Sequence, residues 1–154
     1  AGEDVKFIAR RIMILASEDI GNADPMAMVV ASACAQEVER VGMPEAQLIL
    51  AQAVTYMASA PKSNASCEAI FKAMRVVKET KTPPVPTHLQ DAHYKSAEKL
   101  GHGLGYKYAH DYPNHYVKQQ YLPDGLTDQV FYEPTDIGYE KQIREYFKKI
   151  KEES

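Results

Sequence analysis

Apolar residues recur at helical spacing through the first half of the chain. Val5, Ile8, Ile12 and Leu15 step by three, four and three, which lays one apolar stripe along a helix. Asp4 is placed to cap its start and Gly21 to end it. A second helix is expected from Asp24-Pro25, an N-cap followed by proline at the first helical position, to Gly42. A third begins at Pro44, and from Ala46 through Pro61 it carries no charge. Its Leu48, Ile49, Leu50, Val54, Tyr56 and Met57 point in several directions, as in a helix surrounded by its own bundle or by another subunit. Ile49, Ala53, Tyr56 and Met57 are the candidate subunit contacts. A fourth helix, opened by Ser63-Asn64, repeats Cys67, Ile70, Phe71, Met74 and Val77 at helical spacing. Short connections favour antiparallel neighbours, so the pattern predicts a mainly α fold built on an antiparallel helical bundle.

Periodicity weakens after Thr82-Pro83-Pro84-Val85-Pro86, a junction with few backbone donors and a preference for extended polyproline geometry. A short helix is expected around Tyr94 to Leu100, closed by Gly101. The β-favouring runs Tyr106-Lys107-Tyr108 and Val130-Phe131-Tyr132 are expected to pair as a small hairpin. A final helix follows, with Thr135 as its cap and Tyr139, Ile143, Tyr146 and Ile150 as its stripe. Glu140 with Arg144, and Glu145 with Lys149, are expected to form ion pairs on its wet side. The expected organisation is a helical oligomerisation region over 1–82 and a loop-rich lobe over 83–154 packed on it as one unit.

Composition sharpens this division. Residues 1–80 hold 16 of the 19 alanines and all six methionines, whereas residues 81–154 hold nine of ten tyrosines and all five histidines. With 154 residues, 45% hydrophobic and 25% charged, the chain can bury a core without staples, which excludes disordered and fibrous classes. A net charge of −3 provides no global basic field, so any phosphate binding must be local. The longest strongly apolar run, Met26 to Ala35, is too short to suggest a membrane span. The acidic start lacks a secretory signal, and Cys34 and Cys67 sit in apolar helical patterns, as reduced cytoplasmic thiols would. The missing initiator methionine is expected of a piece of something longer.

The candidate chemistry is concentrated in the second half. Tyr106, Lys107, Tyr108, His110 and Tyr112, followed by His115, Tyr116 and Lys118, interleave rings and cations as a single-strand platform does. The competing reading is tyrosines that glue a loop-rich lobe together. Lys62 beside Ser63-Asn64 at a helix start is a further candidate anion contact, although capping accounts for Ser63 and Asn64 equally well. His88, His93, His102, His110 and His115, with Asp91 and Asp111, pose a metal hypothesis, but none of the spacings is that of a zinc site, and hydrogen-bonded loop histidines are the default. No metal is assigned. Gly101-His102-Gly103-Leu104-Gly105 follows a helix instead of a strand, and reads as a turn rather than a phosphate cradle. There is no Gly-x-x-x-x-Gly-Lys-Ser/Thr run and no serine with a nearby base, so no catalytic residue is assigned. Glu18 and Asp19 lie in the last turn of the first helix, where acids oppose the macrodipole. They are expected to act as a structural clamp by meeting a cation or a helix start.

Several blocks in order carry a family resemblance: Ile8 to Arg11, Ala16 to Gly21, Ala23-Asp24-Pro25, Ala51 to Val54, Ala60 to Ala65, Pro86 to Leu89, Gly105 to Asp111, Tyr121-Leu122-Pro123 and Tyr132 to Asp136. Together they resemble the C-terminal region of the replication-associated recombination protein A family, relatives of the Werner helicase interacting protein. The resemblance implies an AAA+ ATPase whose ATP and Mg site lies upstream, so that this piece has no cofactor and no catalysis of its own. It further implies a clamp-loader collar-like bundle, a homotetramer, and work at replication forks and DNA ends with single-stranded DNA-binding protein. Many members carry Arg after His-Leu and a Pro further on, where this chain has Gln90 and His93. The reading is therefore an oligomerisation domain of an ATPase acting in replication, recombination and repair. The alternative is a forked or single-stranded DNA-binding module, and the remote one a metal-dependent hydrolase.

Overall fold

The computed structural model describes residues 2–81, 83–91, 93 and 100–152. The fold is mainly helical: α1 (Val5–Leu15), α2 (Met26–Val41), α3 (Ala46–Ser59), α4 (Ala65–Glu79) and α5 (Glu140–Glu152), with short 3-10 turns between them. The expected helix around Tyr94 to Leu100 lies largely outside the described residues. The chain divides into two compact bodies, one of Ala1–Ala73 with Phe131–Tyr146 and one of Met74–Val130 with Phe147–Ser154. Residues 131–146 thus belong with the helices, not with the loops that precede them in sequence.

In the first body, α1, α2 and α3 pack on one another around Ala9, Ile12, Ala16, Ile20, Ala27, Ala31, Cys34, Val38, Ala46, Ala53 and Met57. Alanine supplies much of this core, which lets helix backbones approach closely but buries little apolar area per residue. The expected caps form: Asp4 accepts Lys6 N–H at 2.8 Å, and Asp24 Oδ1 accepts Met26 N–H at 3.1 Å. The other oxygen of Asp24 accepts the Tyr56 hydroxyl at 2.7 Å, tying α3 to the start of α2. That bond, with burial second, raises the Tyr56 pKa.

The first helix does not run as an α-helix to Gly21. Ala16–Ile20 widen into a π-turn, and Gly21 closes it at φ 51°. A Cβ on Gly21 would meet the Ser63 carbonyl at 2.9 Å, so glycine is needed both for the angle and for the approach. The turn aims the Asp19 carbonyl at Ser63 N–H, 2.8 Å away, immediately before α4.

In the second body, 3-10 turns at Thr87–Leu89, Ala109–Asp111 and Pro113–His115 replace long elements. Glutamine side chains take the place of a ladder. Gln119 accepts Lys107 N–H at 3.2 Å and donates to the Lys107 carbonyl at 2.9 Å. Gln120 reaches Leu122 O and Asp124 Oδ1, and Gln90 reaches Val85 O. The hairpin expected between Tyr106-Lys107-Tyr108 and Val130-Phe131-Tyr132 is not formed, and no strand occurs among the described residues. The cause is visible at Lys107, whose backbone groups are both taken by one carboxamide.

Candidate functional site

A buried carboxylate organises the end of the first body. Glu140, placed on a wet helix face by its spacing, is instead 0% exposed. Its Oε2 accepts the Ser63 hydroxyl (2.7 Å), the Thr135 hydroxyl (2.7 Å) and Thr135 N–H (2.9 Å), and its Oε1 accepts the Tyr132 hydroxyl (2.9 Å). Asn22 donates in turn to Tyr132 at 3.3 Å. Burial alone would raise the Glu140 pKa, but these donors outweigh it and hold the carboxyl below its ordinary range. Thr135 is correspondingly not the N-cap of α5. Its hydroxyl accepts Ile137 N–H at 3.2 Å and shapes the turn leading to the helix.

The surface of α4 is apolar where a bundle's outer helix would be polar. No residue of α4 is buried, and Ile70, Phe71, Met74 and Val77 are each more than half exposed. Ile70 and Phe71, with Met13, Ile14, Met28 and Cys67, line an open groove of about 660 Å³. Arg10 and Glu18 also line it. Burial, followed by the charges of Glu18, Glu68 and Asp19, raises the Cys67 thiol pKa.

The expected subunit contacts on α3 occupy different surroundings. Ala53 and Met57 are in the chain's own core, and Ile49 and Tyr56 pack against it. The outward apolar positions of α3 are Leu48 and Val54. At Glu18 and Asp19, the link to a helix start runs through the main-chain carbonyl of Asp19. Lys62 is committed locally: its ammonium donates to the carbonyls of Met57 (2.8 Å) and Ala60, where α3 ends. A cation there offsets the negative end of the helix.

The remaining aromatic and basic candidates gather in the second body. Tyr108, His110 and His115 form a tilted row, with ring centroids 5.0 and 4.8 Å apart. His110 and His115 share an Nδ1 contact of 3.2 Å. Lys107 and Lys118 line one cavity of about 260 Å³ together with Tyr112, Pro113, Asn114, Tyr116, Val117 and Ile150. Tyr106 stands half exposed beside them in sequence. The interleaving of rings and cations in the sequence singles out Lys107, Tyr112, Tyr116 and Lys118, but not Asn114 or Val117, because a cavity wall made by a turn leaves no periodic trace. Elsewhere His88 bonds the Gln120 carbonyl at 2.8 Å and His93 pairs with Asp91 at 2.6 Å. Among the described residues, no three His, Cys, Asp or Glu side chains come together as a metal-holding group. Gly103 N–H is taken by Thr87 O at 2.9 Å within the glycine-rich turn.

A family model described as MgsA AAA+ ATPase C terminal matches residues 1–151. The chain belongs to this family. An uncharacterised AAA domain-containing protein of Mycobacterium tuberculosis is 56% identical over 143 residues, covering 93% of this chain and 32% of that protein. The replication-associated recombination protein A of Bacillus subtilis is 44% identical over 148 residues, covering 96% of this chain and 35% of that protein. The ATPase WRNIP1 of Dictyostelium discoideum is 38% identical over 135 residues, covering 86% and 15%. The chain spans about a third of the length of the first two. As a member of the MgsA C-terminal family it is similar to proteins of replication-associated recombination, and no described helix is long and apolar enough to cross a membrane.

Proposed function

We propose that this chain is the self-association module of an AAA+ ATPase working in the cytoplasm at replication forks, and that four copies join through it. ATP and Mg would be held by the ATPase segment, and single-stranded DNA-binding protein would be met by the whole assembly. The observation that carries the reading is the exposed stripe Ile70, Phe71, Met74 and Val77 on α4. A helix of a lone globular body would turn that stripe inward. Each such side chain gains on the order of 1 kcal/mol or more when its remaining apolar surface is covered, so a second copy of the same chain is a favourable occupant.

Light scattering on a sizing column over a range of concentrations tests this. A particle of about 69 kDa, four times the 17.2 kDa chain, is expected, and 17.2 kDa at every concentration would refute it.

A second reading has its own support. The second body carries ten Lys and Arg against eight Asp and Glu, a formal +2, while the first carries eight against thirteen, a formal −5. Tyr106, Lys107, Tyr108, His110 and Lys118 all lie in the positive body, which favours nucleic-acid contact there. Binding of a labelled single strand that weakens steeply with salt is the expected result.

A further inference from the structure

The cavity beside Lys107 and Lys118 has the chemistry of a nucleotide subsite. Its floor is apolar, since Val117 and Ile150 are buried. Two tyrosines, Tyr112 and Tyr116, and two lysines, Lys107 and Lys118, are among the residues that line it. Among the described residues neither lysine is paired with a carboxylate; the Lys107 ammonium reaches only the Lys118 carbonyl, at 3.5 Å. Two lysines without a carboxylate partner beside one small cavity favour an anion there.

The turn that builds the wall is specified tightly. Asn114 and His115 both take left-handed angles, φ 54° and 52°, held by His115 N–H on Tyr112 O and Tyr116 N–H on Pro113 O. Such strain persists where the surroundings impose it. At about 260 Å³ the space lies below the 300–1,000 Å³ of ordinary small-molecule sites, which suits one planar ring with its phosphate and not a larger cofactor.

We infer that this cavity receives a single nucleotide unit, the base stacked against Tyr112 or Tyr116 and the phosphate between Lys107 and Lys118. The inference rests on the nucleic-acid reading of the second body and assigns it a site. The same unit occurs within a single strand or as a free mononucleotide, and the test separates these sources.

Fluorescence anisotropy of a labelled twelve-residue oligo(dT) is measured with the full 154-residue chain at low salt. Tyr112→Ala and Lys118→Ala are expected to weaken binding about tenfold each, and Tyr112→Phe to retain it. Lys118→Ala also lowers the slope of log affinity against log salt by about 0.7. Circular dichroism confirms that each variant is folded. Failure of millimolar dTMP to compete identifies the strand as the source, whereas competition at micromolar dTMP assigns the same cavity to a free nucleotide. Oligo(dT) binding that is indifferent to both Tyr112→Ala and Lys118→Ala overturns the cavity while leaving the broader reading standing. No binding of oligo(dT) or dTMP by the unmodified chain overturns both.

Discussion

The Ser63 hydroxyl and the Glu140 carboxylate, 77 residues apart, meet at 2.7 Å in the buried end of the first body. This bond joins the start of α4 to the start of α5, and the same Glu140 oxygen takes both polar groups of Thr135. Glu140→Gln keeps the shape but removes the charge that these donors face. It is expected to lower unfolding free energy by about 2 kcal/mol, read as a fall in the urea midpoint at neutral pH. An unchanged midpoint would show that the network contributes nothing.

The same carboxyl sets a pH dependence. Its folded pKa is depressed, so its stabilisation is fully present above the ordinary glutamate value of about 4.3 and is lost as pH falls toward and through the lower folded value. The urea midpoint of the unmodified chain is therefore expected to decline below about pH 5, and Glu140→Gln to flatten part of that decline. Parallel curves for the two proteins would contradict the assignment.

Local chemistry made much of the helical half legible, and distant chemistry hid the rest. Asp4, Asp24 and Gly42 act within a few residues of where they stand, so the starts and stops they imply are found. Glu140 looks like an ordinary first-turn acid because its partners Ser63 and Tyr132 come from elsewhere in the chain. The uncharged run of α3 was ambiguous between core and interface, and Ala53 and Met57 belong to the core. The opposite holds for α4, whose clear amphipathic stripe predicts burial within the chain but faces outward. Periodicity reports that a face is apolar; it does not report what covers it.

Gly138 offers a test of close packing in the first body. It sits at φ 56°, and a Cβ there would run into the Ala23 carbonyl and within 2.9 Å of Pro61 Cγ. That carbonyl also accepts Tyr139 N–H at 2.7 Å, so it is not free to retreat. Gly138→Ala should cost about 3 kcal/mol or more by urea unfolding. Gly125→Ala, at φ 80° with no atom within 4 Å of the added Cβ, should cost only about 1 kcal/mol. Equal costs would mean that the Ala23 contact relaxes freely.

Lys62→Ala separates capping from anion binding. Because the ammonium already holds the Met57 and Ala60 carbonyls, its loss should reduce stability by about 0.5–1 kcal/mol. Oligo(dT) affinity should be unchanged within error, since the charge acts at the end of α3. A tenfold loss of affinity with no change in stability would restore Lys62 as a nucleic-acid contact.

The assembly reading makes a directional claim about which helix carries it. Ile70→Glu with Phe71→Glu places two charges on the exposed stripe of α4, where neither residue is buried in the isolated chain. Folding should therefore survive, as judged by an unchanged helical circular dichroism signal. A surface that is covered in the assembly cannot accept the same charges, because desolvating two unpaired carboxylates costs several kcal/mol. The mass by light scattering should fall from about 69 kDa to the 17.2 kDa of one chain. Leu48→Glu, on the outward side of α3, is the matched control, being at least as exposed in the chain. If Leu48→Glu dissociates the particle and the α4 pair does not, the contact lies on α3, and the groove between α1 and α4 is left without a role in assembly.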